Sequence, residues 1–413
     1  MSLKNSLRDR LKSLGVQEGI KKSSEFQDKR RYPIEKSISG EYLHNSFGEV
    51  FIHTDEFPTD YRHGNTPLST PVGITTLARW AKTIDLEPLN SRDLVFLDTE
   101  TTGLSGGTGT FVFLVGIGFQ TVEGFAIKQF FLRDPAEESA FLISLEEAIS
   151  GFKGLVTFNG KSFDVPILKT RYILNGFQFP FIEMNHIDLL PLARRLWKYR
   201  LANRNLGILE TEILNLERSS EEIPGWMIPE MYIDYCRSGD SRPLKGVFYH
   251  NAMDIVSLAG LLMKITTLVE PGKQDDVVEG VDILAVGKLY ESLGNDMEAG
   301  KYFEAAIQRH LEGDHRILAK KTYASLLKRK RKWDLAIPIW KELAAYGQWD
   351  AFVELAKYFE HSLGAFDEAR CFAELGRKIV EKIDMPKVKK EKLNMDFDRR
   401  ITRLSLKIEK KCR

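Results

Sequence analysis

Leu97-Asp98-Thr99-Glu100-Thr101-Thr102-Gly103 follows directly on the apolar run Leu94-Val95-Phe96. A short apolar run of this kind reads as a buried strand, and this one ends in acid. Strand side chains alternate between faces, so Asp98 and Glu100, two residues apart, share a face. Two adjacent carboxylates repel each other and both ionise only where a cation is at hand. Gly103 then lets the chain turn away. Taken alone, the pair is equally well a solvated strand end.

The flanking sequence supplies a domain for this strand. Phe111–Gln120 and Gly124–Leu132 read as strands, Glu137–Phe152 as a helix and Gly154–Asn159 as a further strand. Phe163–Leu174 reads as a helix opened by Asp164 and Pro166, Asn185–Trp197 as a strand running into a helix, and Val247–Leu268 as one long helix. The pattern predicts an α/β architecture, a mixed sheet flanked by helices. Asn159 ends one strand and Asp164 opens the next helix, which aims the Asp164 carboxylate back over the end of the sheet. Asp254 lies beside the apolar stripe of Ile255, Leu258, Leu261 and Leu262. It is either a helix-surface charge or a ligand facing inward.

Three pieces in order, Asp98-Thr99-Glu100-Thr101-Thr102-Gly103, Asn159-x-x-x-Phe163-Asp164 and His250-x-x-x-Asp254, resemble the exonuclease motifs of the DEDD superfamily, the DnaQ-like exonucleases of ribonuclease-H-like fold. The resemblance covers roughly residues 93–269. The texture of NLGILETEIL (205–214), EIPGWMIPEMYIDY (222–235) and GVFYHNAMDIVSLA (246–259) is similar to the YprB-like family of bacterial proteins, in which such a domain can precede tetratricopeptide repeats. The resemblance implies two Mg²⁺ or Mn²⁺ ions about 3.5–4 Å apart, stabilising the attacking and leaving oxygens of an in-line displacement. It implies Asp98, Glu100, Asp164 and Asp254 as the metal ligands. Asp98 would bridge both ions, Glu100 and Asp254 would hold the ion that binds the attacking water, and Asp164 would act on the other ion through water. Family members orient the attacking water with a Tyr four residues before the last Asp or a His five before it. Here His250 stands at the tyrosine spacing and Tyr249 at the histidine spacing. His250 is taken as the catalytic group, because an imidazole accepts a proton near neutral pH and a phenol does so poorly; the alternatives are a backbone-bonded His250 and a working Tyr249.

Thr101, Thr102, Asn159, Lys161, Arg194 and Arg195 are the expected substrate contacts. Lys161 either meets a phosphate or is an ordinary loop lysine. Arg194, Arg195, Lys198, Arg200 and Arg204, interleaved with Trp197 and Tyr199, suit a groove that tracks a strand or, equally, a solvated helix face. Asp188 either supports the site or caps a helix. The glycine-rich Leu104–Thr110 lacks the spacing of a phosphate-binding loop.

At 413 residues the chain is expected to hold more than one domain, and 43% hydrophobic residues are enough for each to have a core. Residues 1–90 are read as a partly ordered N-terminal extension with a helix near Ile74–Trp80, and 91–270 as the exonuclease-like domain. Pro271–Gly272 and the polar stretch after it mark the boundary. Residues 280–385 are read as an all-α tetratricopeptide-like repeat domain. There Ala299, Ala336 and Ala369 recur in similar settings, at a spacing near the ~34 residues of such repeats. Residues 386–413 are read as a basic tail.

Lys and Arg (59) balance Asp and Glu (58), so attraction to phosphate must be local. Three separated cysteines form no zinc or disulfide pattern. No apolar leader or uninterrupted spanning run is seen, and a soluble, cytoplasmic protein without a membrane partner is expected. The expected function is a two-metal nuclease, a 3′–5′ exonuclease on single-stranded ends of DNA or RNA, with a protein partner for the repeats. The alternatives are a non-catalytic nucleic-acid-binding or scaffold protein and a structure-specific endonuclease on the same fold.

Overall fold

Strand period and helix placement together divide the core in two. In the computed structural model, residues 32–83, 89–103, 108–182, 184–216, 223–273, 277, 279–309 and 311–411 are described. Seven strands form one mixed sheet: β1 (Glu41–Asn45), β2 (Gly48–Pro58), β5 (Leu94–Thr101), β6 (Val112–Gln120), β7 (Gly124–Phe131), β8 (Gly154–Thr157) and β9 (Asn185–Asp188). A separate short hairpin supplies β3 (Arg62–His63) and β4 (Thr66–Pro67). The spatial order is β1-β2-β7-β6-β5-β8-β9, and β5, β8 and β9 run parallel. Their carboxyl ends therefore lie along one edge, where open α/β sheets form crevices.

On β5, Leu94 and Phe96 enter one core and Val95 and Leu97 the other. The first core also takes Ala252, Ile255 and Leu258 of the long helix α6 (Leu244–Leu268). The second takes Ile167, Leu168 and Tyr172 of α3 (Asp164–Leu174). Further helices of this domain include α1 (Thr75–Ala81), α2 (Glu138–Ile149), α4 (Leu189–Leu196) and α5 (Ile228–Ser238). Helix α6 is long and apolar enough to span a membrane by length and composition, but most of it is buried inside the protein.

Two glycines let α6 press onto the sheet. A Cβ on Gly116 would stand 2.2 Å from Cδ1 of Ile255, and one on Gly118 would stand 2.4 Å from its Cγ2. Only glycine permits so close an approach of helix to strand.

The segment expected as an N-terminal extension contributes to this sheet. Antiparallel pairing of β2 with β7 runs from Phe51↔Phe131 to Pro58↔Gly124, and β1 closes the edge. Val50 and Phe51 are fully buried. The sheet thus begins about fifty residues before the boundary read at 91: β1 is its edge strand, and β2, though paired on both sides, is buried only at Val50–Ile52. Residues 1–31 of that segment lie outside the described residues.

Beyond α6 come three helix pairs: α7 (Gly280–Ser292) with α8 (Asp296–Gln308), α9 (Gly313–Arg329) with α10 (Trp333–Ala345), and α11 (Trp349–His361) with α12 (Phe366–Lys382). Ala299, Ala336 and Ala369 are all fully buried, as the close packing of two helices requires. The boundary read at Pro271 is not a free joint. Ile283, Leu284, Tyr302 and Phe303 share a core with Leu262, Ile265 and Val269. The hydroxyls of Tyr290 and Tyr302 donate to the carbonyls of Val269 (2.5 Å) and Glu270 (2.7 Å).

The region read as a tail is helix α13 (Lys387–Lys411), with Phe397 and Leu404 buried. The side chain of Glu360, closed off from solvent, receives Arg400, Arg403 and Lys407 at 3.2, 2.7 and 2.9 Å. Those three cations hold α13 to the last helix pair, so the charge run is in part structural.

Candidate active site

The strand period carries Leu94 and Phe96 on to Asp98 and Glu100, on the face covered by α6. The register of β5 against β6 shifts between Glu100 and Thr101, an irregularity that bends the strand end away from the sheet. Asp254, about three turns into α6, meets that face. Its Oδ2 is 3.6 Å from Nε2 of His250, one turn earlier on the same helix.

Thr99 points to the opposite face, toward α3. Its hydroxyl donates a 2.5 Å hydrogen bond to Oδ1 of Asp164, the first residue of that helix. The two helices thus deliver Asp254 and Asp164 from opposite layers to one strand end.

Electrostatics agree with a shared site. Burial pushes Asp98 well above the usual carboxylate range, and the negative charges of Asp254, Asp164 and Glu100 push it further; a hydrogen bond from Asn251 opposes them. Burial likewise raises Glu100, with Asp254 and Asp164 adding to it. Asp164 is raised to about 6 by burial, against the lowering effect of Thr99. Asp98 and Glu100 each keep part of their surface open to solvent, yet lie deep enough among protein atoms to lose most of their hydration.

Among the described residues, no three acidic, histidine or cysteine side chains stand close enough to form a ready-made cage for an ion. The donors that do converge are hard carboxylate oxygens crowded by like charge. This is the donor class that Mg²⁺ and Mn²⁺ take, and Mg²⁺ keeps several of its waters rather than needing a full protein cage. Asp98, Glu100, Asp164 and Asp254 fit such ions on that chemistry.

Asn251 is the site residue that sequence reasoning passed over. It is fully buried, and its Nδ2 donates to Oδ2 of Asp98 at 2.8 Å. Its Oδ1 accepts from Nε2 of Gln129 at 2.8 Å, which fixes the amide's orientation. The only signal in the sequence was its place next to His250 and one turn from Asp254's neighbour Ile255.

Asp188, read as either a helix cap or a support for the site, is a cap whose carboxylate also binds the preceding loop. Oδ1 accepts from the backbone N–H of Asn159 (2.8 Å) and of Leu190 (3.1 Å), and Oδ2 accepts from that of Lys161 (3.2 Å). It caps α4 and anchors the loop that leads to Asp164. Asn159 in that loop holds a left-handed φ of 68°. His186 lies behind it, with Nε2 2.8 Å from the Thr157 hydroxyl, and burial lowers its pKa to about 4.

The two candidates for orienting water separate in space. The side chain of His250 is 12% exposed and faces Asp254. Tyr249 is 49% exposed and lies near Tyr61.

The expected substrate contacts divide. Lys161 is exposed beside the Asn159 turn. The hydroxyl of Thr101 donates to the Gly103 carbonyl and that of Thr102 accepts from the N–H of Phe111, both at 2.9 Å, so these groups hold the turn itself. Arg195 donates to the Lys288 carbonyl at 2.7 Å, and Arg200 pairs with Asp282 at 2.9 Å. Trp197 is buried, and Lys288 donates to the Tyr199 hydroxyl. Arg195 and Arg200 thereby belong to the seam with α7, whereas Arg194 and Lys198 stay exposed.

Residues 95–266 match the family model described as RNase_H superfamily. The chain is 31% identical over 391 residues to the "Uncharacterized protein YprB" of Bacillus subtilis (strain 168), a match that covers 91% of this chain and 93% of that relative. Among solved structures it is similar to the family B DNA polymerase of the hyperthermophilic archaeon Pyrobaculum calidifontis, with a TM-score of 0.34 and 15% identity. That match covers 55% of this chain and 28% of the polymerase.

Proposed function

Because the chain belongs to the family of the Bacillus subtilis protein YprB and carries a domain of the RNase H superfamily, a nuclease fold, we propose that it is a divalent-metal-dependent 3′–5′ exonuclease acting on single-stranded ends. The observation that carries this reading is the convergence of Asp98, Glu100, Asp164 and Asp254, from one strand and two helices, on one strand end, where burial raises the first three and the charge of Asp254 raises Asp98 and Glu100 further.

Bound Mg²⁺ or Mn²⁺ would relieve that repulsion and supply Lewis acidity to the scissile phosphate. The protein's own groups do the rest. Asn251 holds Asp98, and Thr99 holds Asp164, so neither carboxylate must be reoriented during turnover. His250, steadied by Asp254, accepts a proton as water attacks phosphorus. The bond from phosphorus to the 3′ oxygen breaks, leaving a 3′ hydroxyl on the shortened strand and a nucleoside 5′-monophosphate. Lys161, exposed on the loop anchored by Asp188, meets the phosphate backbone. The helix pairs are of tetratricopeptide type and offer a partner-binding surface.

The test is an activity screen over end-labelled DNA and RNA with Mg²⁺, Mn²⁺ and EDTA. Stepwise release of mononucleotides from linear strands, with circles left intact, is expected. Cleavage of circles would make the enzyme an endonuclease. Metal-independent binding without hydrolysis would overturn the enzymatic reading.

A further inference from the structure

Next to the residue that abuts His250, the chain displays an exposed aromatic ring. Trp226 is 73% exposed. It sits in the short 3-10 turn Gly225–Met227, where the N–H of Met227 donates to the Pro224 carbonyl at 2.9 Å. The turn is pinned on both sides. Before it, Ile223 fills the space over Gly246, where a Cβ would come within 2.0 Å of its Cδ1. After it, Ile228 is fully buried, and the Tyr232 hydroxyl bonds to the Leu132 carbonyl at 2.9 Å. A large apolar ring held in water by a pinned turn forgoes much of the free energy of burial.

The turn also stands at the site. A Cβ on Gly225 would lie 3.8 Å from Nε2 of His250, the atom that faces Asp254.

We propose that Trp226 is the platform on which the terminal base of a single-stranded substrate stacks, so that the enzyme selects strands whose last base is unpaired. This inference rests on the nuclease reading. Every base has a π-face, so the platform is tolerant of sequence but needs a base that is free to leave a duplex. Its contribution is to substrate binding, not to the chemical step.

The test compares 5′-labelled single strands that end in a normal nucleotide with strands that end in an abasic one. Stacking on an aromatic side chain corresponds to about 5- to 100-fold in affinity. Wild type should show a KM higher by that order on the abasic end, at similar kcat. Trp226→Ala should raise KM on the normal end to the abasic level and leave the abasic substrate unchanged, while Trp226→Phe retains most of the discrimination. An equal rise in KM on both substrates, or none, would overturn the platform. A second measurement does not need turnover. With Ca²⁺ present, the fluorescence difference between wild type and Trp226→Phe should be quenched by a ten-nucleotide single strand and not by a blunt duplex. Quenching without cleavage in Mg²⁺ or Mn²⁺ would overturn the nuclease reading and keep the platform; cleavage without end discrimination would do the reverse.

Discussion

The side-chain amide of Asn251, on α6, ties together two strands of the sheet: Nδ2 donates to Asp98 on β5 at 2.8 Å, while Oδ1 accepts from Gln129 on β7, two strands away, at 2.8 Å. Because Gln129 also donates to the Phe248 carbonyl at 2.8 Å, the amide cannot rotate without breaking the helix-to-sheet contact. One rotamer of Asp98 is thereby selected. Asn251→Ala should lower activity about 10- to 100-fold, the usual effect of losing a group that orients a metal ligand. Raising the Mn²⁺ concentration should recover part of the loss. A variant with wild-type activity at limiting Mn²⁺ would show that Asp98 orients itself.

Asp98 carries a prediction with opposite signs for function and stability. Its folded pKa is raised, as are those of Glu100 and Asp164. A carboxyl with a raised folded pKa favours the fold below its unfolded value, about 4. That stability is lost as pH rises through the folded value, about 6 for Asp164. Asp98→Asn removes one charge from the cluster. In EDTA its melting temperature should exceed that of wild type at pH 8, with the gain shrinking toward pH 4. Hydrolysis should be nearly abolished, and Mn²⁺ should stabilise wild type more than the variant. Equal melting curves at pH 8 would mean that the carboxylates do not share a site.

His250 and Tyr249 are adjacent in the chain and differ in surroundings. His250 faces Asp254 at 3.6 Å, whereas Tyr249 sits near Tyr61. His250→Ala should lose about 10²- to 10⁴-fold in rate, the range for a general base, and still bind metal and nucleic acid. Tyr249→Phe should stay within a few-fold of wild type. A crippled Tyr249→Phe would reverse the assignment.

The site was legible where local periods determine it. Period two carries Leu94 and Phe96 to Asp98 and Glu100, and the helical period brings His250 to Asp254. Asn251 was not legible, because its role depends on Gln129, 122 residues away. The surroundings of the basic patch were hidden for the same kind of reason. Arg195 reads as a phosphate contact until the Lys288 carbonyl, 93 residues on, is seen to accept from it. Strand β2 was missed because only its Val50–Ile52 section is buried, and the rest alternates between half-buried and exposed. The glycines of β6 read as ordinary strand residues, since nothing local tells that a helix will lie on them.

Those glycines give a prediction in which neighbouring chemistry sets the sign. A Cβ on Gly116 would meet Ile255 at 2.2 Å and Oδ1 of Asn251 at 2.3 Å, so Gly116→Ala must push α6 outward. It should cost about 1–3 kcal/mol of stability, as overpacking does, and reduce activity through the Asn251–Asp98 contact. Gly300, inside α8, has room for a methyl group: the nearest atom to an added Cβ belongs to Leu326, at 3.7 Å. Gly300→Ala should raise stability by about 0.5–1 kcal/mol, since alanine suits a helix interior better than glycine. Denaturant unfolding of both variants checks the contrast, and a neutral Gly116→Ala would show that α6 is not pressed onto the sheet.

The helix pairs should prove inseparable from the domain before them. Residues of α7 and α8 share a core with Ile265 and Val269, at the end of α6, and two tyrosine hydroxyls cap the carbonyls at the junction. A chain cut after Val269 would expose the apolar surface that Ile283, Leu284 and Phe303 cover, a patch of the kind that drives aggregation. A chain cut after Lys330 keeps Leu311, Ala319 and Leu326, the remaining members of that core. The shorter chain should be insoluble or molten, and the longer one folded and capable of metal-dependent cleavage. Light scattering and thermal denaturation of the two distinguish them. A soluble, cooperatively melting chain ending at Val269 would show that the first helix pair only leans on the domain and does not complete it.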